Sequence, residues 1–320
     1  MTRSFPSTSG IHHVTAIAGD PQRNVDFYAG LLGLRLVKRT VNFDDPGTYH
    51  FYYGDEVGRP GTILTFFPWP GAPRGRRGTG QATTTAFLIP PGAMGFWVER
   101  LKRNGVATSA VVPRFDEEAV AFDDPDGLAL ELVASADGAV EGGVPRGRVP
   151  AEHAIRGFHG VTLSEEGFER TSGLLVGTLG FQQEREQGNR FRYRSGGEGP
   201  GLFVDVLCQP DAARGVVAVG TVHHVAFRAA DNADEEAWRG RIARAGFNVT
   251  PVLDRQYFRS IYFREPGGVL FEIATDPPGF SVNEPVGALG ARLMLPPWLE
   301  PMREALDRSL ATLTPPRAAE

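Results

Sequence analysis

Seven histidines occur in the 320 residues, and four of them form two adjacent pairs, His12-His13 and His223-His224. Random placement of seven histidines gives about 0.15 such pairs, so the pairing is a signal. Both pairs sit in similar surroundings, Gly10-Ile11-His12-His13-Val14 and Thr221-Val222-His223-His224-Val225, and a third copy reads Gly157-Phe158-His159-Gly160-Val161. In a strand, alternate side chains share a face, which groups Ile11, His13 and Thr15, and likewise Val222, His224 and Ala226. An acidic partner is at hand. Glu272 follows the turn Glu265-Pro266-Gly267-Gly268, and Tyr262 and Glu272 are equidistant from Gly267. A symmetric hairpin therefore makes them cross-strand neighbours. Two histidines and one carboxylate form the facial triad of non-haem iron(II) oxygenases, which leaves coordination positions open for substrate and dioxygen. The bland alternative for a strand histidine is a hydrogen-bonded core group. Two equivalent histidines with a positioned glutamate favour a metal held by His13, His224 and Glu272.

The elements that must position these groups repeat. Each histidine-bearing strand leads into a helix-like segment that stops at a glycine. Asp20-Pro21 supplies an N-cap and first-turn proline before NVDFYAGLLGL, which stops at Gly33. GFERTSGLLVGTLGF reaches Gly180, DEEAWRGRIARAGF reaches Gly246, and a fourth copy, ATTTAFLI followed by AMGFWVERLKRNGV, stops at Gly105. With Thr84 standing where His224 stands, the four anchor-to-glycine spacings are 20, 21, 20 and 22. Glu131 and Glu272 both lie 26 residues beyond their stop glycines, an offset of 141 between the second halves of modules two and four. The chain thus reads as four units of strand, helix and several short strands, near 10–70, 79–135, 155–208 and 220–276.

The degenerate copies serve as a control. Module three has Gly160 where module one has His13, and module two has Thr84 and Ala121 where module four has His224 and Tyr262. Only modules one and four can build the site. Glu131 is therefore expected to be structural, and Arg255 maps onto Arg114, which gives it a fold role as well as a chemical one. Arg74, Arg76 and Arg77, in a Gly/Pro-rich stretch, are expected to form a solvated loop. Residues 297–313 show an amphipathic helical pattern that suits a lid on core surface.

Composition bounds the rest. Formal net charge is −5, which argues against a nucleic-acid binder. The single Cys208 permits no internal disulfide and no cysteine-rich zinc site. No apolar run reaches the length of a signal peptide or a membrane span, so a cytoplasmic protein with no membrane partner is expected. Whether copies of the chain associate into a homo-oligomer is left open by the sequence.

At this point the chain resembles the vicinal oxygen chelate superfamily (glyoxalase, bleomycin-resistance and extradiol dioxygenase proteins), and within it the four-module dioxygenases that cleave hydroquinone rings. The resemblance is carried by IHHVTAIAGDPQRNVDFYAGLLGLRLVKRTVNF, GDEVGRPGTILTFFP, RGFHGVTL, GNRFRYR, HHVAF and YFREPGGVLFE. It implies an α+β fold of four βαβββ modules paired into two domains, with mixed β-sheets forming a cup around one metal site. The expected division is 1–135 and 153–278 for the two-module domains, 136–152 for a linker and 279–320 for a C-terminal extension with its helix. It also implies Fe(II), with Mn(II) suited to the same donors, dioxygen as co-substrate and a small aromatic substrate. His12, Thr15, His223, Tyr262 and an arginine, Arg255 or Arg259, are then expected beside the substrate. Tyr262 is the first candidate hydrogen-bond donor there, and His223 or His12 the proton shuttle. Strand alternation alone sends His12 and His223 to the opposite face, and only a bulge or twist brings them back. Catechol-cleaving relatives carry all three ligands in the second domain, which Gly160 does not allow here. The competing readings are a glyoxalase-like isomerase, epimerase or thiol transferase, a catechol extradiol dioxygenase, and a metal-free binding module of the same fold.

Overall fold

The computed structural model describes residues 7–136, 149–317 and 319. Of the linker expected at 136–152, residues 137–148 lie outside the described residues. Module one contains β1 (Ile11–Ala18), α1 (Pro21–Val25, continuing as a π turn over Asp26–Leu31), β2 (Arg35–Asn42), β3 (Asp45–Gly54) and β4 (Ile63–Pro68). Module two contains β5 (Gln81–Ile89), α2 (Met94–Arg103), β6 (Val112–Arg114), β7 (Glu117–Asp123) and β8 (Ala129–Ala134). Module three contains β9 (Phe158–Glu165), α3 (Glu169–Gly177), β10 (Gln182–Gln187), β11 (Arg190–Arg194) and β12 (Phe203–Cys208). Module four contains β13 (Thr221–Ala229), α4 (Asn232–Arg244), β14 (Leu253–Asp254), β15 (Arg259–Arg264) and β16 (Leu270–Thr275). The cap and stop signals work as the residues imply. Asp20 accepts from the Arg23 N–H with Pro21 behind it, and Gly33, Gly105, Gly180 and Gly246 all take positive φ, where a side chain is disfavoured.

Two eight-stranded mixed sheets result, in the orders β14-β15-β16-β13-β1-β4-β3-β2 and β10-β11-β12-β9-β5-β8-β7-β6. The first joins modules one and four and the second joins two and three. The expected division into 1–135 and 153–278 groups consecutive modules, while each sheet takes strands from both segments. Repeat arithmetic defines each unit but is silent on which neighbour its first strand meets, because all four first strands carry similar apolar rows. The crossovers between modules are tied together as well. Arg74, Arg76 and Thr79 form single bridges with Val219, Val216 and Arg214. The arginine loop is exposed as expected, yet anchored: Arg77 reaches Asp123 at 2.7 Å, and Arg74 and Arg76 donate to the carbonyls of Pro125 and Arg214.

The C-terminal segment adds a piece to the first sheet, where Leu293 bridges Arg39 of β2. The helix expected over 297–313 is shorter, a 3₁₀ turn Glu300–Met302 followed by α5 (Arg303–Ser309). Pro296, Pro297 and Pro301 lack the N–H groups a longer helix needs, and Leu310 is already extended. Leu299, Leu306 and Leu310 are buried against the core, which is the covering role the pattern suggested. Upstream, Phe280 and Leu289 pack with Val37, Tyr52, Tyr257 and Phe258 in a separate apolar cluster. A fully buried ion pair, Lys38 with Glu284, and a 2.8 Å bond from Lys38 Nζ to Asn283 Oδ1 fasten this extension to β2. No helix among the described residues is long and apolar enough to cross a membrane.

Candidate metal centre

The central pair of the first sheet carries the histidines. β1 and β13 run antiparallel with Thr15 opposite His224 and His13 opposite Ala226. β16 lies parallel to β13 with Glu272 beside Ala226, and antiparallel to β15 with Glu272 opposite Tyr262, the hairpin register expected from the sequence. One face thus receives His13, His224 and Glu272, all buried and with their ligand atoms within 4.8 Å of one another. The Nε2 atoms of the two histidines are 3.2 Å apart, and Glu272 Oε2 lies 3.3 Å from His13 Nε2 and 2.9 Å from His224 Nε2. Three ligands on one face of an octahedron with bonds of about 2.1 Å stand about 3.0 Å apart, so this spacing fits a single cation. Glu272 Oε2 is buried without a hydrogen-bond partner, whereas Oε1 accepts from Ser260. An orphaned buried carboxylate oxygen is costly unless a cation takes it. Burial alone would raise the pKa of Glu272, but the facing His13 and His224 outweigh it and hold the group well below the usual carboxylate range.

The bulge condition for His12 and His223 is met twice. The β1–β13 register slips between Ile11 and His13 and again between Thr15 and Ala16, which makes His12 the extra residue on one strand and His223 the extra residue on the other. Each turns back onto its neighbour: His12 Nδ1 is 2.9 Å from His13 Nδ1, and His223 Nδ1 is 2.7 Å from His224 Nδ1. His13 and His224 are thereby gripped at Nδ1 and present Nε2 to Glu272. Burial, reinforced by the adjacent imidazole, drives His12 well below its ordinary pKa and His223 down to about 3, so both rings are neutral.

A cavity of about 320 Å³ opens from the triad, walled by Phe67, Trp69, Phe258 and Leu270. His223, Tyr262 and Arg255 line it; His12 and Thr15 do not. Those two stand one layer back, His12 against His13 and Thr15 bonded at 2.8 Å to Thr65 Oγ1. Of the two candidate arginines, Arg255 lines the cavity and Arg259 does not. Arg255 Nε reaches the Tyr262 hydroxyl at 3.3 Å, whereas Arg259 points away to Glu235 of α4 at 3.2 Å. Burial and the Glu272 charge raise the Tyr262 pKa, so its phenol keeps its proton.

Sequence reasoning missed three contributors. Ser260 holds Glu272, and the 141 offset places Ala119 at its counterpart, the same comparison that singled out Tyr262. His50 lines the cavity, bonded to Thr65 Oγ1 and to the Tyr52 hydroxyl, both at 2.9 Å. As an unpaired histidine outside the repeat motif, it gave no signal. Asp44 pairs with Arg255 at 3.1 Å from a hairpin tip that carries no motif.

The sequence profile of the glyoxalase/bleomycin resistance protein/dioxygenase superfamily matches residues 10–132 and 157–273. The chain belongs to this superfamily. It is 50% identical over 303 residues to a Bacillus subtilis protein provisionally named ring-cleaving dioxygenase MhqO, covering 95% of this chain and 96% of that one. It is 36% identical over 310 residues to the chlorohydroquinone/hydroquinone 1,2-dioxygenase of Sphingobium indicum, covering 94% and 95% of the two chains. A crystal structure from Bacillus subtilis, titled provisionally as a dioxygenase, superposes with a TM-score of 0.94 at 49% identity, over 98% of this chain and all of that one. The superfamily and the triad together imply a metal ion.

Proposed function

We propose that the protein is an iron(II)-dependent dioxygenase that opens a hydroquinone-type ring with dioxygen. The observation that carries this reading is the convergence of His13, His224 and the unpartnered Oε2 of Glu272 at the inner end of an aromatic-walled cavity. The names of relatives at 36–50% identity over nearly the whole chain support it. His13 Nε2, His224 Nε2 and Glu272 Oε2 would hold the ion, and Mn(II) suits the same donors. When bound, the ion supplies Lewis acidity that favours the phenolate and an electron path between ring and dioxygen.

The chain's own groups do the rest. A metal-binding histidine offers an unprotonated Nε2, so His224 carries its proton at Nδ1 and donates to His223 Nδ1. His223 then holds its own proton at Nε2, as a donor at the cavity wall. Tyr262, whose oxygen accepts from Arg255 Nε, directs its O–H toward a bound hydroxyl or oxygen. The flat walls of Phe67 and Phe258 orient the ring and exclude water, leaving the reacting carbons beside the triad. His12 stabilises the orientation of His13 from behind.

The test is oxygen consumption by ferrous-reconstituted enzyme with hydroquinone, methylhydroquinone, chlorohydroquinone and catechol. Uptake of one dioxygen per hydroquinone ring, with loss of the aromatic absorbance, is expected. Metal-dependent turnover of a substrate without oxygen uptake would move the assignment to a non-redox isomerase of the same fold.

A further inference from the structure

Among the described residues one arginine, Arg255, lines the cavity, and it is already paired. Arg255 Nη1 meets Asp44 Oδ2 at 3.1 Å, while its Nε meets the Tyr262 hydroxyl. Asp44 stands at the tip between β2 and β3, its backbone N–H bonded at 3.0 Å to the Asn42 side chain, and it lines the cavity together with Asn42 and Phe43. The adjacent Asp45 is tied to the Trp69 indole N–H at 3.2 Å, so a second acid stands at the same rim. Arg255 sits close enough for its charge to act on His50, His224 and Glu272, and a ring bound at the triad lies within that range.

Charge balance then limits the substrate. A divalent ion with Glu272 leaves one positive charge, which a singly ionised hydroquinone neutralises. Asp44 neutralises Arg255. Among the described residues lining the cavity no second cation receives an additional anionic substituent, which faces the Asp44–Asp45 rim at close range; Arg264 acts on His223 from outside that lining.

We propose that Asp44 is a specificity-determining residue: by neutralising Arg255 it admits hydroquinones with apolar substituents and rejects those bearing a carboxylate. This rests on the hydroquinone reading above and names the substituent class of that same cavity.

The experiment compares the wild type, Asp44→Asn and Asp44→Glu, each loaded with ferrous ion. Two probes are used, methylhydroquinone and 2,5-dihydroxybenzoate. Equilibrium binding is measured without oxygen, and oxygen uptake is measured separately. The wild type is expected to favour the methyl compound. Asp44→Asn should narrow the ratio of the two dissociation constants by about tenfold, the effect of one uncovered charge at this range. Asp44→Glu keeps the carboxylate and should hold the ratio within about threefold. The difference between wild type and Asp44→Asn should shrink as salt is raised, because the pair is near the surface; a purely steric effect would not respond. An unchanged ratio in Asp44→Asn, or a wild type that binds both rings equally, overturns the proposal. If neither ring drives oxygen uptake in the wild type, the dioxygenase reading falls, and the binding ratio still decides the role of Asp44.

Discussion

The two sheets start from the same plan and end in opposite chemistry. In the first, β1 and β13 present His13 and His224 to Glu272. In the second, β9 and β5 repeat the strand pairing, with Thr84 opposite Thr162 as His224 is opposite Thr15. They repeat the bulges too: the register slips at Thr83 and at His159, the counterparts of His223 and His12. Yet the second centre is filled by ion pairs. Arg114 clasps Glu131 at 2.5 and 2.6 Å, and Arg192 bridges Glu117 at 2.6 Å and Asp205 at 2.8 Å. His159 sits 2.8 Å from Glu117. Where His13 stands in one sheet, a Cβ on Gly160 would lie 2.3 Å from the Phe203 carbonyl oxygen in the other. The bulges therefore belong to the fold, and the chemistry depends on what side chains fill the concave face. Arginine–carboxylate pairs satisfy each other where the first sheet leaves one carboxylate oxygen open.

The strongest way to break the comparison is to empty the first centre. His13→Ala, His224→Ala and Glu272→Ala should each abolish metal retention and lower turnover by more than about a thousandfold. Circular dichroism should show the fold retained, since each change only shortens a side chain. Full metal content by elemental analysis in any of the three would remove that residue from the ligand set.

The next largest effect concerns a residue that differs between the sheets. Ser260→Ala frees Glu272 Oε1 from its one hydrogen bond and should weaken metal affinity by about 10- to 100-fold, measured by competition with a chelator. The reciprocal change, Ala119→Ser, should leave metal content untouched. Equal chelator sensitivity in Ser260→Ala and wild type would show that Glu272 needs no such support.

Cutting the second sheet should give the inverse outcome. Glu131→Ala leaves the largely buried Arg114 without its partner and should cost about 3 kcal/mol of stability. Turnover per folded molecule should be unchanged. Replacing both residues with Met and Leu should recover most of that loss, because a buried pair adds little over apolar packing. Denaturant midpoints check both.

Legibility from sequence followed the same division. The repeat exposed β1, β13, the four glycine stops and the Tyr262–Glu272 register because each rests on local spacing. It could even state what His12 and His223 require, since alternation in a strand is a fixed rule and only a bulge breaks it. What stayed hidden was non-local. The degenerate copies put modules one and four at one site, but nothing near Ile11 or Thr221 says that their first strands are hydrogen-bonded neighbours in one sheet. Asp44 and His50 reach the cavity from β2–β3 only because the sheet curls, whereas Ser260, behind Glu272, differs from Ala119 at the same offset that marks Tyr262. Tertiary approach of that kind leaves no period in a sequence.

The smallest effect sharpens the comparison at the module contacts, away from both centres. Asp124 and Glu265 occupy matching turns. Asp124 accepts from Tyr28 and from the N–H groups of Asp126 and Leu128, and burial lifts its pKa to about 6. Glu265 accepts from Thr171 and from the Val269 N–H, but it also faces Glu165, which stands where module one has Ala18. Burial, then the Glu265 charge, lift Glu165 to about 8, with Arg214 acting in the opposite direction. A carboxyl whose folded pKa is raised binds its proton more tightly when folded. Its stabilising contribution is complete below the unfolded value near 4.5 and is lost as pH rises through about 8. Thermal midpoints should therefore decline by a few degrees from about pH 5 to pH 8. Glu165→Gln should flatten that decline, leaving the smaller steps of Asp124, complete near pH 6, and of Glu235, complete near pH 7. A wild-type profile already flat over that range would mean that Glu165 does not hold its proton there, and the asymmetry between the turns would then be one of packing rather than charge.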